Sequence, residues 1–123
     1  MEFDENKILS IIETHFWDEL YQYVMDYVMD MDGSELADYF DMYVDYADLD
    51  GINSLSADEI ELEEDGAELT VMGTLEAEVC LTGYSYWDGE NIPAGSIEHT
   101  MGLTFNFKIM NGKYYEFKLE NLF

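Results

Sequence analysis

Residues 58–72 read Asp58-Glu-Ile-Glu-Leu-Glu-Glu-Asp-Gly-Ala-Glu-Leu-Thr-Val-Met72, and this pattern decides the fold class. Apolar residues alternate with glutamates before the Asp-Gly pair, a period of two that is typical of a strand with one buried face. Asp65-Gly66 is itself a signal for a two-residue type I′ turn. A turn centred there pairs apolar residues on one face: Leu62 with Leu69, and Ile60 with Val71. The stretch therefore predicts an antiparallel hairpin.

Working towards the C-terminus, the same period predicts more strands. We expect four strands in all, at about 58–63, 68–83, 97–109 and 113–120, with residues 83–96 as the longest loop. Gly73 predicts a bulge or bend. A two-residue Asn111-Gly112 turn would place the inward residues of the last two strands on opposite faces. We therefore expect a three-residue loop, Met110-Asn111-Gly112, which pairs two couples on one face: Phe107 with Tyr115, and Phe105 with Phe117.

Working towards the N-terminus, the apolar period lengthens to 3.6 residues, which predicts helices. We expect one helix at 4–31, ended by Gly33, and a second at 35–49, with Ser34 as its N-cap. The short break between them predicts an antiparallel pair. The expected fold is α+β, in the order α-α-β-β-β-β. Two helices would cover one face of a four-stranded antiparallel meander in a single domain, 1–123.

The charge balance of the chain is extreme. Its 123 residues include 29 acids, four lysines and no arginine, for a net charge of −25. Hydrophobic residues make up 48% and aromatic residues 15%, which is too rich for a disordered acidic tail. Such a charge repels nucleic acid and anionic membranes and attracts basic surfaces. The Met-, Tyr- and Ile-rich composition is typical of an AT-rich source, in which lysine should be common, so its scarcity indicates selection against basic residues.

Carboxylates recur at helical spacing along the second predicted helix. A helix over 35–49 would carry them at steps of three and four on one face, about 5–6 Å apart: Glu35, Asp38, Asp41, Asp45 and Asp48. Like charges at that spacing destabilise a helix slightly, so folding alone does not favour the pattern. We therefore assign these five carboxylates to the binding of a partner. The same role is assigned to two acidic residues of the first helix and to the outer face of the first hairpin: Asp26, Asp30, Glu59, Glu61 and Glu63, with Glu68 beside them. The alternative is an ordinary solvated surface.

Metal and catalytic motifs are weak. Asp48-Leu-Asp50-Gly51 is similar to an EF-hand loop, but Tyr46 and Ala57 would occupy its first and twelfth positions, where acidic ligands are needed. His15 and His99 fit packing or surface roles. Cys80, the single cysteine, permits no intrachain disulfide and has no basic neighbour in sequence to activate it. We therefore expect no metal, no cofactor and no enzymatic activity.

The expected loop at 83–96 carries a group of aromatic residues: Tyr84, Tyr86 and Trp87. Trp and Tyr are enriched where protein interfaces concentrate their binding energy, so Tyr86 and Trp87 are candidates for partner binding. The alternative is that these rings fold back and cover the open end of the core.

Together these features predict an acidic protein that mimics nucleic acid. It would block the basic DNA- or RNA-binding channel of a defence nuclease of a restriction or CRISPR system, as a phage or mobile element would require. It would not bind nucleic acid or membranes itself. One alternative is an immunity or antitoxin protein that neutralises a basic nuclease toxin, and another is a small ligand-binding α+β domain. The acidic N-terminus and the absence of a targeting segment predict a cytoplasmic protein, and a homodimer is left open.

Overall fold

The computed structural model describes residues 4–40 and 44–122, in which three helices precede a four-stranded antiparallel sheet. The elements follow one another along the chain as α1 (Glu5–His15), α2 (Trp17–Met29), α3 (Gly33–Phe40), β1 (Tyr46–Asp65), β2 (Glu68–Trp87), β3 (Glu90–Met110) and β4 (Lys113–Asn121). The strands are hydrogen-bonded in sequence order, β1-β2-β3-β4. The predicted α+β class, with helices ahead of an antiparallel meander, is confirmed.

The predicted helix at 4–31 is two helices, broken at Phe16. Asp4 caps α1 by accepting a hydrogen bond from the backbone N–H of Lys7, at 2.8 Å. At Phe16 the backbone leaves helical geometry, with φ −127° and ψ 15°. Its ring is thereby buried and stacks on Phe117, with 4.7 Å between ring centroids. The break between α1 and α2 thus coincides with an aromatic contact between the helices and β4.

The predicted helix at 35–49 is confirmed up to Phe40, the last residue of α3, and is wrong from Val44 onwards, whereas 41–43 lie outside the described residues. The chain enters β1 at Tyr46, so the segment that follows is extended. Ala47 and Leu49 lie towards the core, opposite Gly83 and Leu81 of β2. The cap also differs from the prediction, because Asp32 accepts the backbone N–H of Glu35 at 2.8 Å and Ser34 lies inside the helix.

The first hairpin forms one residue later than predicted. Asp65 pairs with Glu68, so Gly66 and Ala67 make the turn, and Leu62 lies opposite Val71 instead of Leu69. Gly66 has φ +65° and Ala67 does not have positive φ, which is the pattern of a type II′ turn. The same side chains stay on the same face, because the partner of Leu62 changes by two residues, which is one full period of a strand.

The predicted loop at 83–96 is wrong. β2 and β3 continue through it and meet at a two-residue turn, Asp88-Gly89, so that Trp87 pairs with Glu90. Both turn residues have positive φ, +51° and +82°, as a type I′ turn requires. The central hairpin is therefore much longer than expected, and its end projects as a two-stranded ribbon.

The predicted three-residue loop between the last two strands is also wrong. Asn111-Gly112 forms a two-residue turn, and Met110 pairs with Lys113. The conflict between faces is removed by a bulge further along β4, at Glu116, whose φ is +53°. Beyond the bulge Phe105 lies opposite Leu119, not Phe117. A second bulge in β1, at Glu59, lies opposite Gly73, where a bulge or bend was predicted.

The core lies between the helices and one face of the sheet. It combines residues from α1, α2 and α3 with alternate residues of β2 and β3, including Ile12, Leu20, Leu75, Leu103 and Phe107, all fully buried. A hydrogen bond and a ring contact join the helices to β4. The hydroxyl of Tyr23 donates to Asn121 at 2.9 Å, and the ring of His15 lies 4.4 Å from that of Tyr114. Because the helices cover only one face of the sheet, the opposite face is presented to solvent.

Candidate protein-binding surface

The face of the sheet that points away from the helices is here named the outer face. Along β2 the even-numbered residues from 68 to 86 lie on it, and all are exposed or half-buried. Residues paired with them across β1 and β3 share that face, because directly opposed residues of an antiparallel pair point the same way. A 20-residue strand measures roughly 65 Å along its path, so this surface is long.

Carboxylates dominate the outer face. By register they come from all four strands: Asp48, Asp58, Glu61, Glu63, Asp65, Glu68, Glu76, Glu78, Glu98 and Glu120. Successive outward residues of a strand lie about 6.6 Å apart, as do Glu61 and Glu63 in β1 and Glu76 and Glu78 in β2. The predictions for Glu61 and Glu63 thus place them correctly, whereas Glu59 lies in the β1 bulge and is exposed.

The lysines of the sheet lie at one end of the outer face. Lys108 forms ion pairs with Glu68 at 3.3 Å and with Glu116 at 3.2 Å, and these two carboxylates raise the pKa of the ammonium group. The hydroxyl of Tyr115 donates to Glu68 at 2.5 Å, and this bond, helped by Lys108, lowers the pKa of that carboxyl group. Lys108 is therefore compensated locally, whereas Lys113 and Lys118 share this end of the outer face with it by register. The carboxylates of the outer face still outnumber these three lysines.

The five carboxylates predicted to share one helix do not form one stripe. Glu35 and Asp38 are exposed on α3, whereas Asp48 is exposed on the outer face in β1. Asp45 precedes β1, and its carboxylate accepts the backbone N–H of Tyr86 at 2.5 Å. Asp41 lies outside the described residues. Of the two acidic residues assigned to the first helix, Asp26 lies in α2 and Asp30 at its C-cap, both exposed on the helical layer.

The end of the β2–β3 hairpin, residues 84–93, is here named the hairpin tip. Trp87 is 73% exposed and Tyr86 63% exposed, so these rings do not cover the core. Tyr84 stacks on Tyr46 of β1, with 5.2 Å between ring centroids and 17° between planes. The partner-binding role of Tyr86 and Trp87 stays a prediction, and the alternative that they cap the core is wrong.

Neither histidine lies in a constellation of catalytic type. His15 is exposed at the end of α1, and His99 packs against Tyr39 of α3, with ring centroids 4.5 Å apart. Burial lowers the pKa of His99, which keeps its imidazole neutral at pH 7. The thiol of Cys80 donates a weak hydrogen bond to the carboxylate of Asp50, at 3.9 Å.

Two shallow depressions lie side by side on the outer face and share Glu59 and Thr74. Their volumes are about 640 and 690 Å³. Carboxylates line both, including Glu61, Glu76 and Glu120, and Lys118 adds one cationic group to the first. Within residues 4–40 and 44–122, no three His, Cys, Asp or Glu side chains come together in a group suited to a metal ion. The geometry suits the attraction of cationic groups over a broad area.

No protein-family model, curated protein or solved structure matches this chain. In the described part of the chain, none of the helices has the length and apolar composition needed to span a bilayer. The charge, the outer face and the hairpin tip are therefore the observations from which a function is inferred.

Proposed function

We propose that this protein is an acidic mimic of nucleic acid that inhibits a nucleic-acid-handling enzyme. Its target is a defence nuclease of restriction or CRISPR type, and it acts in the cytoplasm where that nuclease works. The observation that supports this most is the outer face of the sheet. Carboxylates from four strands share it, and no Lys or Arg occurs anywhere between Lys7 and Lys108.

The physical basis is the electrostatics of nucleic-acid binding with the roles exchanged. Each strand of DNA presents one phosphate per about 3.4 Å of axis, and proteins bind it through Lys and Arg. The outer face presents a carboxylate at successive outward positions, about 6.6 Å apart on one strand, with further acids on the neighbouring strands. Such a surface competes for the same cationic groups, associates rapidly and loses affinity as salt is added.

The energetic cost of the arrangement favours a function in binding. Like charges that are adjacent on a sheet destabilise it, and a net charge of −25 opposes compaction of the whole chain. A protein that needed only solubility would mix both signs on its surface.

The test is inhibition of DNA cleavage by purified enzymes, namely a guide-loaded CRISPR nuclease and several restriction endonucleases. Two variants with the same formal charge, −21 instead of −25 after four neutralisations, separate the surfaces. The outer-face variant carries Glu61→Gln, Glu63→Gln, Glu76→Gln and Glu78→Gln. The helical-layer variant carries Glu13→Gln, Glu19→Gln, Glu35→Gln and Asp38→Asn.

We expect the wild type to inhibit at least one enzyme, more strongly at 0.05 M than at 0.2 M salt, as phosphate-like contacts require. The outer-face variant should lose most of that inhibition, and the helical-layer variant should keep most of it. Equal loss in both variants would show that total charge alone matters. Failure of the wild type against every enzyme of the panel would refute the proposal for these classes.

The hairpin tip favours a second candidate, an immunity protein that neutralises a single basic nuclease toxin. A carboxylate surface alone discriminates poorly among basic proteins, whereas exposed aromatic anchors such as Trp87 add selectivity. The number of different enzymes that the protein inhibits separates the two candidate functions. A mimic of nucleic acid should inhibit several enzymes that share a basic channel, and an immunity protein only its cognate toxin.

A further inference from the structure

Trp87 and Glu90 form the last cross-strand pair of the hairpin tip, immediately before the Asp88-Gly89 turn. Directly opposed residues of an antiparallel pair have Cβ atoms about 4.5–5.5 Å apart and point to the same side. The indole is 73% exposed and Glu90 is also exposed, so both are presented to solvent together. An aromatic face thus lies beside a carboxylate at the end of a projecting ribbon.

The tip is held in position before any partner binds. The β2–β3 ladder is paired up to Trp87 and Glu90. Asp45 holds the flank of the ribbon twice, because its carboxylate accepts the N–H of Tyr86 at 2.5 Å and its own N–H donates to the carbonyl of Tyr84 at 2.9 Å. A pre-organised tip loses little conformational entropy on binding.

The geometry points to an arginine-binding anchor at the tip, in which the Trp87 indole stacks on a guanidinium group of the partner protein and Glu90 accepts hydrogen bonds from it. Arginine is the side chain that combines stacking on an aromatic face with bidentate pairing to a carboxylate, and lysine does neither as well. Charge complementarity supports this occupant, because Asp88 adds a second acid beside the indole and the chain from residue 8 to 107 contains no basic residue apart from His15 and His99.

A second copy of this chain is not the occupant. The chain contains no arginine, and two copies would each carry a net charge of −25. The partner is therefore a different protein with an arginine-bearing basic surface. That this partner is a nuclease rests on the proposed function, whereas the arginine site itself does not.

The test compares hexa-arginine and hexalysine peptides of equal charge, titrated into the purified protein by calorimetry at about 0.5 M salt, where general attraction is screened. We expect the wild type to bind hexa-arginine about tenfold more tightly than hexalysine. Trp87→Ala and Glu90→Gln should each bring this ratio close to one. Glu13→Gln, at an exposed position of α1, and Leu62→Ala, exposed at the other end of the sheet, are the matched controls and should leave it unchanged.

A second readout follows the indole itself. In a Trp17→Phe background Trp87 is the only tryptophan, so its fluorescence should respond to hexa-arginine and much less to hexalysine. Circular dichroism of each variant shows whether it is folded. If Trp87→Ala is not, Glu90→Gln and Trp87→Phe carry the test, and Trp87→Phe should retain part of the preference.

A wild-type ratio near one, or a ratio that Trp87→Ala and Glu90→Gln leave intact, would overturn the arginine site. That result is independent of the cleavage assays. Nuclease inhibition without a preference for arginine would support the proposed function and refute the arginine site. A preference for arginine without inhibition of any nuclease would support the arginine site and refute the proposed function.

Discussion

The backbone oxygen of Asp58 lies 2.9 Å from the position that a Cβ atom would take at Gly73. The contact lies at the β1 bulge, where the register between β1 and β2 shifts between Asp58 and Glu61. On the other side, the ring of Phe105 lies 3.0 Å from the same position. Gly73 is thus enclosed by a rigid backbone atom and a buried ring, and no side chain fits there without displacement.

Gly73→Ala should therefore destabilise the protein by about 1–3 kcal/mol, as overpacking does. Urea denaturation followed by circular dichroism measures this. Gly51→Ala is the matched control, since a Cβ at Gly51 would meet nothing within 4 Å. Equal stability of the two variants would contradict the close approach at Gly73.

Replacing Glu59 by glycine should stabilise the protein or leave its stability unchanged. The φ of +51° at Glu59 costs a residue with a side chain roughly 1–2 kcal/mol, and glycine adopts that conformation without strain. Glu59→Gly should thus raise the free energy of unfolding or leave it unchanged, and Glu59→Val should lower it. Glu61→Gly, outside the bulge, should lower it modestly. If both glycine variants behave alike in urea denaturation, the strain at Glu59 is absent.

Tyr115 and Glu68 should give the outer face a measurable pH dependence. The hydrogen bond from Tyr115, with help from Lys108, lowers the pKa of Glu68 in the folded state. The resulting stabilisation is therefore present above the unfolded pKa, about 4.3, and is lost as the pH falls through the lower folded value. Tyr115→Phe removes the donor, so the pKa of Glu68 should rise. Carbon-13 NMR titration of the Glu68 carboxyl group measures the change, with Tyr86→Phe as the control.

The same bond raises the pKa of Tyr115. Its contribution should be present below the unfolded value of about 10 and should be lost as the pH rises through the folded value. In an ultraviolet titration, the wild type and Tyr86→Phe should each show one more tyrosine with a raised pKa than Tyr115→Phe does. The same number in all three proteins would speak against the bond.

Much of the fold follows from the sequence because the strand-type period of two is unambiguous and continues over a long stretch after residue 57. The first twelve of the 20 residues of β1 were not predicted as strand. The first four of them were predicted as helix, since a few residues there satisfy two periods. Val44 and Ala47 fit the helical spacing, and Ala47 and Leu49 fit the strand spacing equally well. Pairing with Gly83 and Leu81 of β2 decides between them, and that contact is distant in sequence.

The long hairpin was missed for a different reason. Asp88-Gly89 is the same type of turn signal as Asp65-Gly66, but the residues around it lack clear alternation because both sides of the tip are exposed. The bulge at Glu116 was likewise invisible, since nothing in a glutamate indicates positive φ. The turn signal Asn111-Gly112 alone would therefore have predicted the two-residue turn correctly. The requirement that inward residues match in face led to the wrong three-residue loop.

The acidity of the candidate site was predictable, but its arrangement was not. Glu61 and Glu63 share the outer face with Glu76 and Glu78 only because of the register between β1 and β2, which composition and local periodicity do not specify. The role of Asp45 was missed as well, since a carboxylate that holds a backbone N–H in another strand has no local signature.

Asp45 and Asp48 should thus behave differently on truncation, although both were predicted in one helical stripe. Asp45→Ala removes the acceptor for the N–H of Tyr86 and should cost about 1–2 kcal/mol of stability, as loss of a charge-assisted bond does. Asp48→Ala, at an exposed strand position, should stay within about 0.5 kcal/mol of the wild type. Thermal unfolding of the two variants compares them directly. Hydrogen exchange at the Tyr86 amide should accelerate in the first variant alone.

The outer-face variant with glutamine at positions 61, 63, 76 and 78 should change stability and inhibition in opposite directions. Removing like charges from adjacent positions relieves repulsion, so the melting temperature at low salt should rise or stay level. Each carboxylate that meets an Arg or Lys of a target contributes a charge-assisted contact, so inhibition should fall.

Salt separates the two effects in this variant. The screening length falls from about 30 Å at 0.01 M to about 10 Å at 0.1 M, so the wild type should gain melting temperature over that range and the variant should gain less. A variant that is less stable than the wild type would show that these carboxylates hold the sheet together. A variant that is equally stable and still inhibits fully would move the binding surface elsewhere, with Glu35 and Asp38 on α3 as the next residues to change.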